Sequence, residues 1–180
     1  MCAPLNVQYE NDLAALSTRI NARTRALYII NPHNPTGTLS DDQEFNRFLR
    51  ESSQRAPVIV DEAYLEFTPD FESRSADFLV REGANVLVCR TFNKIHGLAG
   101  LPIGCTLAPR SLADALRKQG IGDVESLGRL NIAAASAALA DRSHVRRIRD
   151  AVAAERAKWN AVLDELHFRH TRLVRKLRIL

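Results

Sequence analysis

Val86-Leu87-Val88-Cys89-Arg90-Thr91-Phe92-Asn93-Lys94-Ile95-His96-Gly97-Leu98-Ala99-Gly100 changes character at its middle. The opening apolar run, β-branched at Val86 and Val88, reads as a buried strand over Asn85–Arg90. A lysine follows, and the run then dissolves into a glycine-rich loop. A lysine at the carboxyl end of a buried strand is badly placed for a surface charge. It is well placed to attack a carbonyl, because desolvation favours the neutral, nucleophilic amine.

Two upstream segments have the same form. Ala26-Leu27-Tyr28-Ile29-Ile30 reads as a buried strand and runs into Asn31-Pro32-His33-Asn34-Pro35-Thr36-Gly37, whose prolines and glycine end it. Val58-Ile59-Val60, after Pro57, runs into Asp61-Glu62-Ala63-Tyr64. Between the strands lie helical stretches. Leu13, Leu16 and Ile20 place one over 10–22, and Ser40 is expected to cap another over 41–53. A third runs through Ala76–Arg81 and stops at Gly83. Ile103–Leu107 reads as a further strand, followed by helices at about 111–118 and 127–140.

A long helix over about 142–166, capped by Asp141, carries Val145, Ile148, Val152, Trp159, Val162 and Leu166 as a core-facing stripe. Continuous apolar strands alternating with helices predict an α/β fold: a mainly parallel sheet with helices on both faces. Such sheets bind ligands beyond the carboxyl ends of their strands. Asn34, Asp61 and Lys94 lie 27 and 33 residues apart, about one βαβ unit of ~30 residues each. Successive units bring all three to one rim. Asn, Asp, Tyr and Lys at successive strand ends suggest a pyridoxal phosphate site.

Composition narrows the class. The 180 residues suffice for one domain, 46% of them apolar and 26% charged, as in ordinary globular proteins. The apolar runs are too short to span a membrane, and no secretory pattern opens the chain. Cys2, Cys89 and Cys105 lack metal-ligand spacing, so no metal is expected and a reducing cytoplasm is the default setting. The net charge of +4 comes from one place. Without Arg169, Arg172, Arg175, Lys176 and Arg178, 20 basic residues face 21 acidic ones. A neutral body argues against a nucleic-acid face, and the basic tail over 167–180 reads as foreign to the fold.

The motifs Asn31–Gly37, Asp61–Tyr64 and Thr91–Lys94 with Gly97–Leu101 resemble the class I/II aminotransferases of pyridoxal phosphate fold type I. The histidinol-phosphate aminotransferase branch is the most similar, and Asp61–Phe67 strengthens that likeness. The resemblance spans about residues 20–166. It implies the large domain of a fold type I transferase over 1–140, with 141–166 leading toward a small domain. It also implies pyridoxal 5'-phosphate as cofactor, amino acid and keto acid (or phosphorylated ketone) substrates, and a homodimer.

By that resemblance Lys94 forms the internal aldimine and shuttles the substrate proton. Asp61 pairs with the pyridine nitrogen, and Asn34 and Tyr64 bond the phenolic oxygen. Asn93 stands where the family usually has serine, beside the phosphate. Pro102 stands where it usually has a phosphate-binding arginine, which leaves Arg90 or Arg110 as substitutes. The family is longer at both ends. Its phosphate loop, ring-stacking aromatic and substrate-carboxylate arginine find no counterpart here, and a truncated product or altered reading frame after about Thr171 is expected. An inactive remnant and a decarboxylase of the same fold are the alternative readings. Among the neighbours, Glu62 is expected to be solvated, Cys89 to be a buried apolar residue, and His96 to be structural or substrate-facing.

Overall fold

A computed structural model describes residues 2–122, 127–168, 170 and 171. One sheet organises it. β1 (Leu27–Ile30), β2 (Val58–Asp61) and β3 (Val86–Thr91) run parallel in chain order, and β4 (Gly104–Leu107) returns antiparallel on β3. The register sets Leu27, Val58 and Val86 in line, and three rungs on Ile30, Asp61 and Cys89. β4 is an exposed edge strand of four residues. Its Gly104 is required: a Cβ there would lie 2.8 Å from the Arg90 carbonyl oxygen.

The alternation of the strands sorts their side chains. Ile29, Val58, Val60, Val86 and Val88 point to one face. Helix α1 (Leu13–Arg19) precedes β1, α2 (Asp42–Ser53) joins β1 to β2, and α3 (Phe71–Arg74) and α4 (Asp77–Arg81) lie between β2 and β3. Leu13 and Leu16 of α1, Phe45, Phe48 and Leu49 of α2, and Leu79 of α4 close over that face. Leu49, Leu79, Val58, Val60, Val86 and Val88 are fully buried. Each such side chain contributes about 1.5–3 kcal/mol by leaving water. On the opposite face Leu87 is buried, but Tyr28 is 55% exposed. The two-sided burial expected of the strands therefore holds at the centre of β3 and not at β1.

Local signals explain the ends. Asp41, not Ser40, caps α2: its carboxylate accepts from the N–H groups of Gln43 and Glu44. Ser40 is buried one residue earlier, where its N–H bonds the Asn31 amide oxygen at 3.0 Å. Gly83, with φ +79°, turns the chain out of α4. After β4 come α5 (Arg110–Lys118), α6 (Arg129–Ala140) and α7 (Arg142–Glu165).

Asp141 caps α7 by accepting from the His144 N–H at 2.9 Å. The stripe on α7 is only partly core-facing. Val145, Ile148 and Val152 are half-buried, whereas Trp159, Val162 and Leu166 are 49%, 44% and 59% exposed. Amphipathic period fixes which residues share a face, not what covers it. Of the expected basic tail, Arg169 and residues 172–180 lie outside the described residues. No helix among the described residues is long and apolar enough to cross a membrane.

Candidate active site at the carboxyl rim of the sheet

The rim begins where Ile30, Asp61 and Cys89 align. The Asn31 N–H donates to the Asp61 carbonyl, and the Glu62 N–H to the Cys89 carbonyl, so the sheet bonding continues one step beyond the strands. The three loops that carry the expected site residues leave from this line.

The first loop is knitted by its own polar groups. The His33 N–H donates to the Thr38 carbonyl at 2.7 Å, and the Gly37 N–H to the His33 carbonyl at 2.6 Å. Gly37 takes φ +68°, a conformation that glycine adopts without strain. His33 Nδ1 pairs with the Thr36 hydroxyl at 2.8 Å, and burial lowers its pKa. These bonds hold the loop while Asn34 stays exposed and takes no part in them.

Asp61 ends β2. Its Oδ1 accepts from the Ala63 N–H at 2.9 Å, an Asx turn that starts the second loop. Its Oδ2 accepts from the Tyr28 hydroxyl at 2.5 Å. Tyr28 lies two residues before Ile30, on the same side of the sheet, so strand parity brings it to Asp61. The Tyr28 pKa is pushed up to about 12, first by burial of the hydroxyl and then by the Asp61 hydrogen bond and charge. Nothing in the sequence reading pointed to Tyr28. The available signal was one polar tip in an otherwise aliphatic strand, at the parity of Asp61.

Glu62 overturns its expectation. It is 2% exposed, not solvated. Oε1 accepts from the Ala76 N–H at 2.7 Å, and Oε2 from the Ser75 hydroxyl at 2.9 Å and Arg90 Nη2 at 3.1 Å. Arg90 also reaches the Ser75 hydroxyl at 2.7 Å. Burial raises the Glu62 pKa, and the Ala76 N–H, Arg90 and Ser75 oppose that rise. Arg90 is thereby committed to the interior and is not the substitute anion anchor. Arg110, on α5, is almost fully exposed and faces Asp114 at 3.7 Å.

The third loop alternates inward and outward residues. Phe92, Ile95 and His96 are buried, while Lys94 is exposed. The desolvation expected of Lys94 is absent because the strand ends at Thr91, three residues earlier. The Lys94 ammonium lies 5.2 Å from the centre of the Tyr64 ring, which joins the second and third loops. The Asn93 N–H donates to the Thr91 hydroxyl at 3.2 Å, and Asn93 Oδ1 is buried without a partner.

His96 packs on Phe92 at 5.1 Å, with Nε2 3.4 Å from Glu66 Oε1, a structural setting. His144 of α7 bonds the Ile95 carbonyl at 3.2 Å and ties the long helix to this loop. Cys89 is half-buried, not fully buried as expected; burial raises its thiol, which faces the Thr106 hydroxyl at 3.7 Å.

The structure thus joins Lys94 to Tyr64 by contact and Asp61 to Tyr28 by a hydrogen bond. Asn34 and Asn93 sit on the flanking loops of the same rim. An amine, a fixed carboxylate, a phenol and amides on one rim can hold a planar, anionic carbonyl compound.

The family model for aminotransferase class I and II matches residues 3–174. An aromatic amino acid aminotransferase of Corynebacterium jeikeium is 38% identical over 154 residues, covering 85% of this chain and 40% of that protein. Histidinol-phosphate aminotransferase 1 of Psychrobacter arcticus is 38% identical over 144 residues, covering 79% and 37%. The crystal structure of histidinol-phosphate aminotransferase from Sinorhizobium meliloti, in complex with pyridoxal-5'-phosphate, superposes with a TM-score of 0.77 at 29% identity. That match covers 92% of this chain and 44% of the other. The chain therefore spans about two fifths of the length of the curated relatives it matches.

Proposed function

The chain belongs to the class I and II aminotransferases, and on that premise we propose that its rim holds pyridoxal 5'-phosphate for amino-group transfer. The contact between Lys94 and Tyr64 at the mouth of the sheet carries the proposal. The donor set fits the ring end of the cofactor. Asp61 is an oriented carboxylate with lone pairs left after its two bonds, and Lys94 is an accessible amine. Asn93 Oδ1 is buried and unpartnered, and half a turn of its amide presents a donor instead. The phosphate end is weaker, because Pro102 is apolar and Arg90 is occupied by Glu62.

When bound, pyridoxal phosphate supplies an electron-accepting ring that stabilises a carbanion at the substrate α carbon. The residues of the chain do the rest. Asp61 would face the ring nitrogen and favour its protonated form. Asn34 and Tyr64 would donate to the phenolic oxygen. Lys94 would hold the aldehyde end through Nζ, and its amine is the group placed to act as general base toward the α carbon.

The relatives carry two kinds of name, aromatic amino acid and histidinol-phosphate aminotransferase. Our reading of the amino donor is one of these two classes, with a keto acid or phosphorylated ketone as its product. We also read the working unit as a homodimer, which light scattering would test.

The first experiment adds pyridoxal phosphate to the purified chain, reduces with borohydride and maps the peptides. A stable label on the Lys94 peptide is expected. Label absent, or scattered over other lysines, would remove the proposal.

A further inference from the structure

We propose that Tyr28 is a positioning residue for Asp61: its hydroxyl fixes the carboxylate that receives the ring nitrogen of the cofactor. The inference rests on the reading of the rim given above and assigns a residue to it from β1.

The geometry carries it. Among the described residues Asp61 has two donors, and they come from different elements. The Ala63 N–H binds Oδ1 from within the same loop, at 2.9 Å. The Tyr28 hydroxyl binds Oδ2 from the neighbouring strand, at 2.5 Å. A turn bond alone leaves the carboxylate free to rock about its last torsion, which is broad for an aspartate. A second donor, anchored 33 residues away on a paired strand, removes that freedom.

Each oxygen keeps one lone pair, so the ring nitrogen meets a carboxylate already aimed. Tyr28 is 55% exposed and lies outside the packed core, so the hydroxyl, not core packing, is what this position contributes. Cys89, titratable as well, lies one strand over in register with Asp61. Its thiol is directed to Thr106.

The test compares Tyr28→Phe with the unaltered chain. Each is titrated with pyridoxal phosphate and with its 1-deaza analogue, which has no ring nitrogen, and binding is read by fluorescence quenching. Loss of one charge-assisted hydrogen bond at an open site should weaken pyridoxal phosphate binding about 3- to 10-fold. Binding of the deaza analogue should stay within about twofold, because no proton then faces Asp61. A merely structural role would weaken both alike, and that result overturns the inference. Equal affinity of both proteins for pyridoxal phosphate also overturns it, while leaving the site reading intact. If the unaltered chain does not fix the cofactor on Lys94 after borohydride, the site reading fails and this inference falls with it. Circular dichroism of the cofactor-free variant, unchanged from the unaltered chain, certifies that both are folded.

Discussion

Glu62, buried and one residue beyond Asp61 in the chain, and Arg90, largely buried, form an ion pair, Oε2 to Nη2 at 3.1 Å. Ser75 and the Ala76 N–H complete the cage around Glu62. The pair ties β2 to β3 and to the start of α4, and it leaves Asp61 as the acidic group at the rim. Removing one partner of a buried pair strands the other. Glu62→Ala is therefore expected to destabilise the fold by about 3–5 kcal/mol, read from urea unfolding. A loss under about 1 kcal/mol would show that the pair does not hold these elements together.

The same glutamate sets a pH dependence. Its pKa is raised above the ordinary 4.5, with burial the leading cause. A raised carboxyl binds its proton more tightly when folded, so this contribution is fully present below about 4.5 and is lost as pH climbs through the folded value. Glu62→Gln does not titrate. The stability difference should therefore move in favour of the unaltered chain as pH falls from 7 toward 4.5. A difference that is flat with pH contradicts the raised pKa.

The sheet and the rim were legible because parallel strands buried at their centre are written as continuous apolar runs, each ending in a polar residue. The placement of Asp61 at a strand end and of Lys94 beyond one followed from that spacing, while the roles proposed for them rest on the family resemblance. Glu62 was not legible: its partners Ser75 and Arg90 are 13 and 28 residues away, and no local pattern marks a glutamate as buried. Tyr28 was hidden for the same reason. The exposure of Lys94 followed from the strand ending at Thr91, short of the lysine. The α2 cap moved by one residue because Ser40 is drawn inward by Asn31, leaving Asp41 at the helix end.

Tyr28 supplies an alkaline signature. Its phenol is pushed up to about 12, against an ordinary 10.0. With the neutral form favoured in the fold, its contribution to stability is present below pH 10 and is lost between about 10 and 12. One of the three tyrosines should therefore ionise last in an ultraviolet pH titration. Asp61→Asn should bring that step down, since it removes the charge and leaves only a neutral amide oxygen to accept from the phenol. If the late step survives the substitution, Asp61 is not among its causes.

Lys94→Ala separates chemistry from folding. The side chain is exposed, and its contact with Tyr64 is a cation–π pair worth about 0.5–1 kcal/mol at such a site. Unfolding free energy should fall by no more than that. The borohydride-stable label should vanish from the 94 peptide without appearing elsewhere. A large stability loss would mean that the lysine serves the fold and not a ligand.

Pro102 offers a gain-of-function test. It is exposed and follows the glycine-rich loop, at the position where the resemblance implies a phosphate-binding arginine. Neither nearby arginine replaces it: Arg90 is held by Glu62, and Arg110 lies out on α5 beside Asp114. Restoring one charge-assisted pair contributes roughly 1.5–3 kcal/mol when well formed. Pro102→Arg should therefore tighten pyridoxal phosphate binding by about 10- to 100-fold. Pyridoxal without the phosphate should bind as before, because the added charge has nothing to meet. An equal gain for both ligands would mean that releasing the proline reshaped the loop. No gain for either would place the phosphate elsewhere on the rim.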